Sequence, residues 1–156
     1  IEILITDAEG RVTLADSLSY AAKLKPDMIV DLATLTGACV VALGEEITGV
    51  MSNDSNLAKA ILTSASAVGE KMWELPLEEN YKTLITSDVA DYKNIAGKWG
   101  GALTAGLFLR EFVGDIPWAH LDIAGPSFAE RQITPYMRKG ATGHGVRTLI
   151  QWLKSF

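Results

Sequence analysis

The densest run of chemistry-bearing side chains lies near the front of the chain, in Thr6-Asp7-Ala8-Glu9-Gly10-Arg11. On an extended backbone Asp7 and Glu9 project to the same side, because strand side chains alternate. Two carboxylates held that close repel one another unless a proton or a cation sits between them. A divalent metal ion does this well, since hard cations favour oxygen ligands. Gly10 permits a sharp turn, and Arg11 offers a planar fork able to clamp an anion at the same edge. The competing reading is a solvated acidic turn whose charge Arg11 balances, and the D-x-E spacing alone does not separate the two.

Other candidates take plainer readings. His120 and Asp122 share a strand face by alternation and are expected as a hydrogen-bonded structural pair. His144, between Gly143 and Gly145, reads as a capping or surface residue, and Cys39 in its apolar run as a small core side chain. Gly97-Lys98 has Tyr92 where a phosphate-binding loop needs glycine. Trp73, Trp99, Trp118 and Trp152 are too dispersed to form a stacking platform for bases.

The elements that must position these residues alternate between short apolar runs and amphipathic stretches. Ile1–Ile5 reads as a short β-branched run, followed by a helix carrying Leu14, Leu18, Ala21 and Ala22. Thr13 and Asp16 have the spacing of a capping box that would start that helix, and Lys25-Pro26-Asp27 ends it. Met28–Leu32 and Ile47–Met51 read as strands, whereas Thr36–Leu43 fits strand or helix equally. A helix is expected over Asn56–Val68, an irregular stretch or short helix over Trp73–Ile85, and a loop over Ser87–Gly101. Leu103, Leu107, Phe108 and Phe112 mark a helix, and Trp118–Ile123 a strand. After the long connection Gly125–Gly143 comes a final helix with Val146, Leu149, Ile150 and Leu153 on one face. Strands separated by helices predict an α/β fold with a mostly parallel sheet.

Composition narrows the classes further. The 156 residues are 48% hydrophobic and 21% charged, enough apolar content to exclude disorder and to expect one domain. A net charge of −5 gives no general attraction to nucleic acid or anionic membrane. No apolar run approaches the roughly 18 residues of a membrane-spanning helix. A single cysteine, Cys39, points to a reducing compartment. The opening Ile1-Glu2-Ile3-Leu4, with neither an initiator Met nor a signal peptide, is the expected start of a piece of a longer protein.

The string Ile3-Leu4-Ile5-Thr6-Asp7-Ala8-Glu9-Gly10-Arg11-Val12 resembles the N-T-D-A-E-G-R-L signature of the leucyl, or cytosol, aminopeptidases. The resemblance continues in the family's order through Leu14–Ala21, Asp31–Ala38, Gly100–Ala105, His120–Gly125 and Lys139–Gly143, covering nearly the whole chain. It implies a three-layer α/β/α domain with a mixed, mostly parallel sheet, and residues 1–156 as the C-terminal part of an aminopeptidase catalytic domain. It further implies two-metal release of N-terminal residues, preferably leucine, from peptides, by a cytoplasmic homo-hexamer with no membrane or nucleic-acid partner. By resemblance Asp7 and Glu9 are metal ligands, for Mn or Zn with Mg or Co as alternatives. Arg11 matches the arginine that holds a catalytic bicarbonate ion. Thr34, Leu35 and Gly37 match a segment that binds substrate through its backbone, and Ala124 matches a position lining the pocket for the first side chain.

Two departures are expected to matter. Ile5 stands where the family motif has Asn. The family's other metal ligands, a lysine and two aspartates, and its catalytic lysine precede the Asp7 motif and have no counterpart in this chain. A non-catalytic structural or assembly fragment of the same family is therefore the alternative reading, with a generic small-molecule-binding α/β domain as the third.

Overall fold

The structure, a computed structural model, describes residues 1–156. Thr6–Ala8 form a single 3₁₀ turn that runs directly into α1 (Glu9–Lys23). There follow β1 (Ile29–Ala33), α2 (Gly37–Leu43), β2 (Thr48–Ser52), α3 (Ser55–Val68) and β3 (Met72–Glu74). A 3₁₀ stretch at Glu79–Ile85 and a long loop lead to α4 (Gly101–Arg110) and β4 (Trp118–Asp122). The chain ends with two short paired strands, β5 (Phe128–Ala129) and β6 (Gly140–Ala141), and α5 (Val146–Leu153).

The main sheet has the order β1-β4-β2-β3. β1 is parallel to β4 and β2 to β3, whereas β2 meets β4 antiparallel, so the sheet is mixed and mostly parallel. Every residue of β4 is buried, and its alternating side chains serve opposite layers. Trp118 packs with Ala15, Leu18, Leu107 and Phe108 from α1 and α4. Ala119 and Leu121 pack on the other side with Leu57 and Ile61 from α3 and Trp152 from α5. This is the expected α/β/α layering.

Local chemistry explains the boundaries. The Asp54 carboxylate accepts the Leu57 N–H at 2.8 Å to start α3, and Gly69, with φ of 71°, ends it in the left-handed region. The ambiguous Thr36–Leu43 resolves as helix because the Thr36 hydroxyl accepts the Cys39 N–H at 3.0 Å.

Two expectations are corrected, and the run Ile1–Ile5 forms no strand: Glu2 bridges to Lys93, no ladder follows, and Ile1, Ile3, Leu4 and Ile5 remain exposed. A β-branched run becomes a strand only where a sheet edge receives it. α1 starts at Glu9 and not at the Thr13/Asp16 box; Thr13 lies inside the helix, its hydroxyl donating to the Glu9 carbonyl at 3.2 Å. The acidic Asp7 and Glu9 occupy the positive end of that helix, where they favour the earlier start. On α5, Val146, Ile150 and Leu153 are exposed, while Thr148 and Trp152 are buried. The buried Glu70 carboxylate sets that rotation by accepting both the Thr148 N–H (3.0 Å) and its hydroxyl (2.6 Å).

Candidate active-site cleft

β1 and β4 are parallel neighbours, and the groups that bear chemistry gather beyond their carboxyl ends. Asp122, the last residue of β4, is fully buried. Its carboxylate accepts the N–H groups of Leu35 (3.2 Å), Thr36 (3.4 Å) and Ala124 (3.2 Å) and the Thr36 hydroxyl (2.7 Å). Four donors compensate the loss of water around a buried charge. They also tie the loop after β1 to the loop after β4. Gly125 lets the second loop pass close to the end of α2: a Cβ there would lie 2.4 Å from the Gly44 carbonyl oxygen.

The front segment reaches the same place by another route. Asn94, buried in the loop before α4, accepts the Leu4 N–H at 2.9 Å and the Ile5 N–H at 3.5 Å through its Oδ1. Its Nδ2 donates to the carbonyls of Ile5 (2.7 Å) and Ala8 (3.5 Å). Its backbone carbonyl receives Arg11 Nη1 at 3.0 Å. Asp7, Ala8 and Arg11 then line a cleft of about 290 Å³ with Leu35, Thr36 and Gly37, closed on the far side by Ala96, Gly101 and Thr104. Burial draws the Arg11 guanidinium below its ordinary value, and the charge of Asp122 opposes that shift. An arginine has five N–H donors, so the bond to Asn94 leaves others for an anion in the cleft.

Other titratable groups are spoken for. Burial, reinforced by Asp122, pushes the Cys39 thiol up to about 11, which keeps it protonated and unsuited to nucleophilic chemistry. His120 and Asp122 do not bond each other, contrary to expectation. The His120 ring bonds Asp31 at 2.6 Å, and Trp118 Nε1 donates to the same carboxylate at 2.7 Å. The parallel register explains this pairing, since it places Asp31 of β1 directly opposite His120. His144 is neither a surface residue nor a side-chain cap: it is buried near Glu70, and its Nε2 has no hydrogen-bond partner. Ile133, Thr134, Tyr136 and Met137 of the β5–β6 connection line a cavity together with it, which the glycines on either side could not reveal.

The expected site residues separate into two groups. Asp7, Arg11, Leu35 and Gly37 meet around the cleft. Glu9, Thr34 and Ala124 do not line it, although Ala124 is joined to its wall through Asp122. The alternation argument for Asp7 and Glu9 fails, because residues 6–8 form a 3₁₀ turn and Glu9 opens a helix. Asn94 and Thr36 escaped the reading of the sequence, and the single bonds that matter to them leave no spacing pattern. Asp122, expected as a partner for His120, instead ties the two loops, a role its place at a strand end beside a Gly-containing loop could have suggested.

The chain fits a divalent metal in kind and falls short in number. Asp7 and Glu9 are exposed carboxylates, the right donors for a hard cation. Nowhere do three His, Cys, Asp or Glu side chains converge to hold an ion.

A three-layer α/β domain with its cleft beyond the carboxyl ends of parallel strands is the arrangement by which open α/β sheets bind ligands. The profile of the cytosol aminopeptidase family, catalytic domain, matches residues 1–150, and the chain belongs to that family. It is 58% identical over 153 residues to a probable cytosol aminopeptidase of Synechococcus sp. (strain JA-3-3Ab), covering 98% of this chain and 30% of that protein. A probable cytosol aminopeptidase of Geobacter sulfurreducens is 52% identical over 155 residues, covering 99% of this chain and 31% of that protein. Among solved structures, a mutant tomato leucine aminopeptidase superimposes with a TM-score of 0.94 at 45% identity, covering 100% of this chain and 30% of that one. The bottromycin maturation enzyme BotP in complex with Mn gives 0.94 at 41%, covering 99% of this chain and 35% of that one. The chain thus spans about 30% of the length of the curated relatives it matches.

Proposed function

We propose that this chain forms the C-terminal part of the catalytic domain of a metal-dependent aminopeptidase that releases N-terminal residues, leucine preferred, from peptides. The observation that carries the reading is the meeting of Asp7 and Arg11 with the Leu35–Gly37 edge around one cleft. Asp7 and Glu9 would hold divalent ions, with the remaining ligands drawn from parts of the relatives' length outside this chain. Mn in the BotP complex supports a divalent ion, and Zn, Mg and Co share the same oxygen-rich chemistry. When bound, such ions polarise the scissile carbonyl and make water acidic enough to act near neutral pH.

The chain's own residues supply the rest. Arg11 holds an anion, bicarbonate in this reading, and then the charge that develops on the substrate oxygen. The backbone at Thr34, Leu35 and Gly37 would offer groups along which a peptide is held, apart from the Leu35 N–H already given to Asp122. Ala124, small and fixed by Asp122, would border the space for the first side chain, outside the cleft that Asp7 and Arg11 line. Homo-hexamer formation and a cytosolic location belong to the same reading, the latter resting on the relatives' name.

The test is hydrolysis of leucine p-nitroanilide by the intact protein. Turnover that disappears with EDTA and returns with Mn²⁺ or Zn²⁺ supports the reading. Residues 1–156 alone are expected to hydrolyse no faster than buffer, because their ligand set is short. Metal-independent turnover, or none in the intact metallated protein, overturns it.

A further inference from the structure

We propose that Asn94 is the positioning residue for the Asp7–Arg11 segment, fixing through backbone contacts where the carboxylate and the guanidinium meet the cleft. The proposal rests on the aminopeptidase reading for what the segment does, and on geometry alone for how it is held.

That segment lacks the usual supports. It belongs to no sheet, the preceding isoleucines and leucine are exposed, and neither the 3₁₀ turn nor α1 has a side-chain cap. Asn94 supplies what is missing. Its buried carboxamide is a bidentate clamp, with Oδ1 toward the Leu4 and Ile5 N–H groups and Nδ2 toward the Ile5 and Ala8 carbonyls. The clamp therefore closes on both sides of Thr6-Asp7. The backbone of the same residue accepts Arg11 Nη1 and donates to the Glu2 carbonyl at 2.9 Å. One residue, 83 positions away from Arg11, thus sets both reacting groups against the same wall. Its role is indirect: the cleft is lined by its neighbours Ile95, Ala96 and Gly97, and not by Asn94 itself.

Asn94→Ala in the intact metallated protein is expected to lower kcat about 10- to 100-fold, since displacement of reacting groups by about an ångström costs that much. KM should stay within about threefold, because the Leu35–Gly37 edge is held separately by Asp122. Amide hydrogen exchange gives a readout independent of turnover. The Leu4 and Ile5 amides should lose at least about tenfold in protection, while Glu2 and residue 94, held by backbone–backbone bonds, keep theirs. Asn94→Asp is nearly isosteric and tests the point if the alanine variant fails to fold. It retains the acceptor but sets a buried carboxylate oxygen against the Ile5 and Ala8 carbonyls, so kcat should fall at least as far as in the alanine variant. Wild-type kcat in either folded variant, or unchanged exchange at Leu4 and Ile5 in Asn94→Ala, overturns the proposal. An intact wild-type protein without peptidase activity would overturn the aminopeptidase reading instead, and the exchange experiment would then decide the positioning role by itself.

Discussion

Asp7 and Asp122 border the same cleft and are opposite in state. Asp7 is exposed on a single 3₁₀ turn, and no hydrogen bond within the chain saturates its carboxylate. Asp122 is fully buried, and four donors from two loops converge on it. A carboxylate with free lone pairs can take up a cation or proton; one with its lone pairs filled works as a structural joint. The difference shows that residue type does not divide chemistry from architecture here. The number of donors already committed does. The surrounding segments follow suit, because the Asp7 side is held at the backbone by a neutral carboxamide and the Asp122 side by a buried charge.

That contrast predicts a graded series. The largest loss belongs to Asp122→Ala, which orphans four donors, two of them buried, and should cost about 3–5 kcal/mol of stability, read from the midpoint of urea unfolding. A loss below about 1 kcal/mol would show that the joint is dispensable. Arg11→Ala comes next: kcat should fall by on the order of 10²–10³ with KM little changed, the range for removal of one oxyanion-type donor. Metal content and melting temperature belong on the same preparation, because loss of metal first would make Arg11 merely a counter-charge. Thr36→Ala removes the α2 cap and one donor to Asp122, and about 1–2 kcal/mol should go. Asp7→Asn should change stability least, by about 0.5 kcal/mol or less, while abolishing most metal-dependent turnover. Strong destabilisation by Asp7→Asn would erase the distinction between the two aspartates.

His144 provides a gentler probe, away from the cleft. Burial lowers its pKa below 6.5, Glu70 pulls the other way, and Arg147 adds to the lowering. A histidine neutral in the fold and protonated when unfolded stabilises fully above its unfolded pKa, and that stability drains away as pH falls through the folded value. His144→Phe should therefore outlast the wild type increasingly below about pH 6.5 in melting experiments, the upper end being the ordinary histidine pKa. Burial pushes the Glu70 carboxyl up, but hydrogen bonds from Thr148 and the charge of His144 outweigh it and hold the pKa below the ordinary value. Its stability is lost at more acidic pH, and Thr148 holds it in both proteins. A gap that is flat with pH would mean that the fold leaves the His144 pKa at its ordinary value.

The layered α/β architecture was legible because its signals are repetitive. Leu57, Ile61 and Ala65 recur at helical spacing on α3 and are all buried. Failures occurred where a single polar contact outweighed a pattern. Glu70 turned Thr148 inward and left Val146 and Ile150 in solvent, against a clean apolar periodicity. Asp7 and Arg11 could be picked from their types and their motif, but their geometry could not. It depends on Asn94, more than 80 residues away along the chain, and a lone asparagine in a polar loop looks like any other. Alternation within one strand points His120 toward Asp122, whereas the register between strands, which a sequence does not show, gives it Asp31.

The clamp of Asn94 touches Ile5 only at its amide and carbonyl, while the isoleucine side chain stands exposed. Every non-proline residue carries that same pair of groups, so the information that places the motif is stored at position 94 and not at position 5. The side chain at position 5 can therefore be changed without moving Asp7 or Arg11, so long as its amide and carbonyl keep their bonds to Asn94.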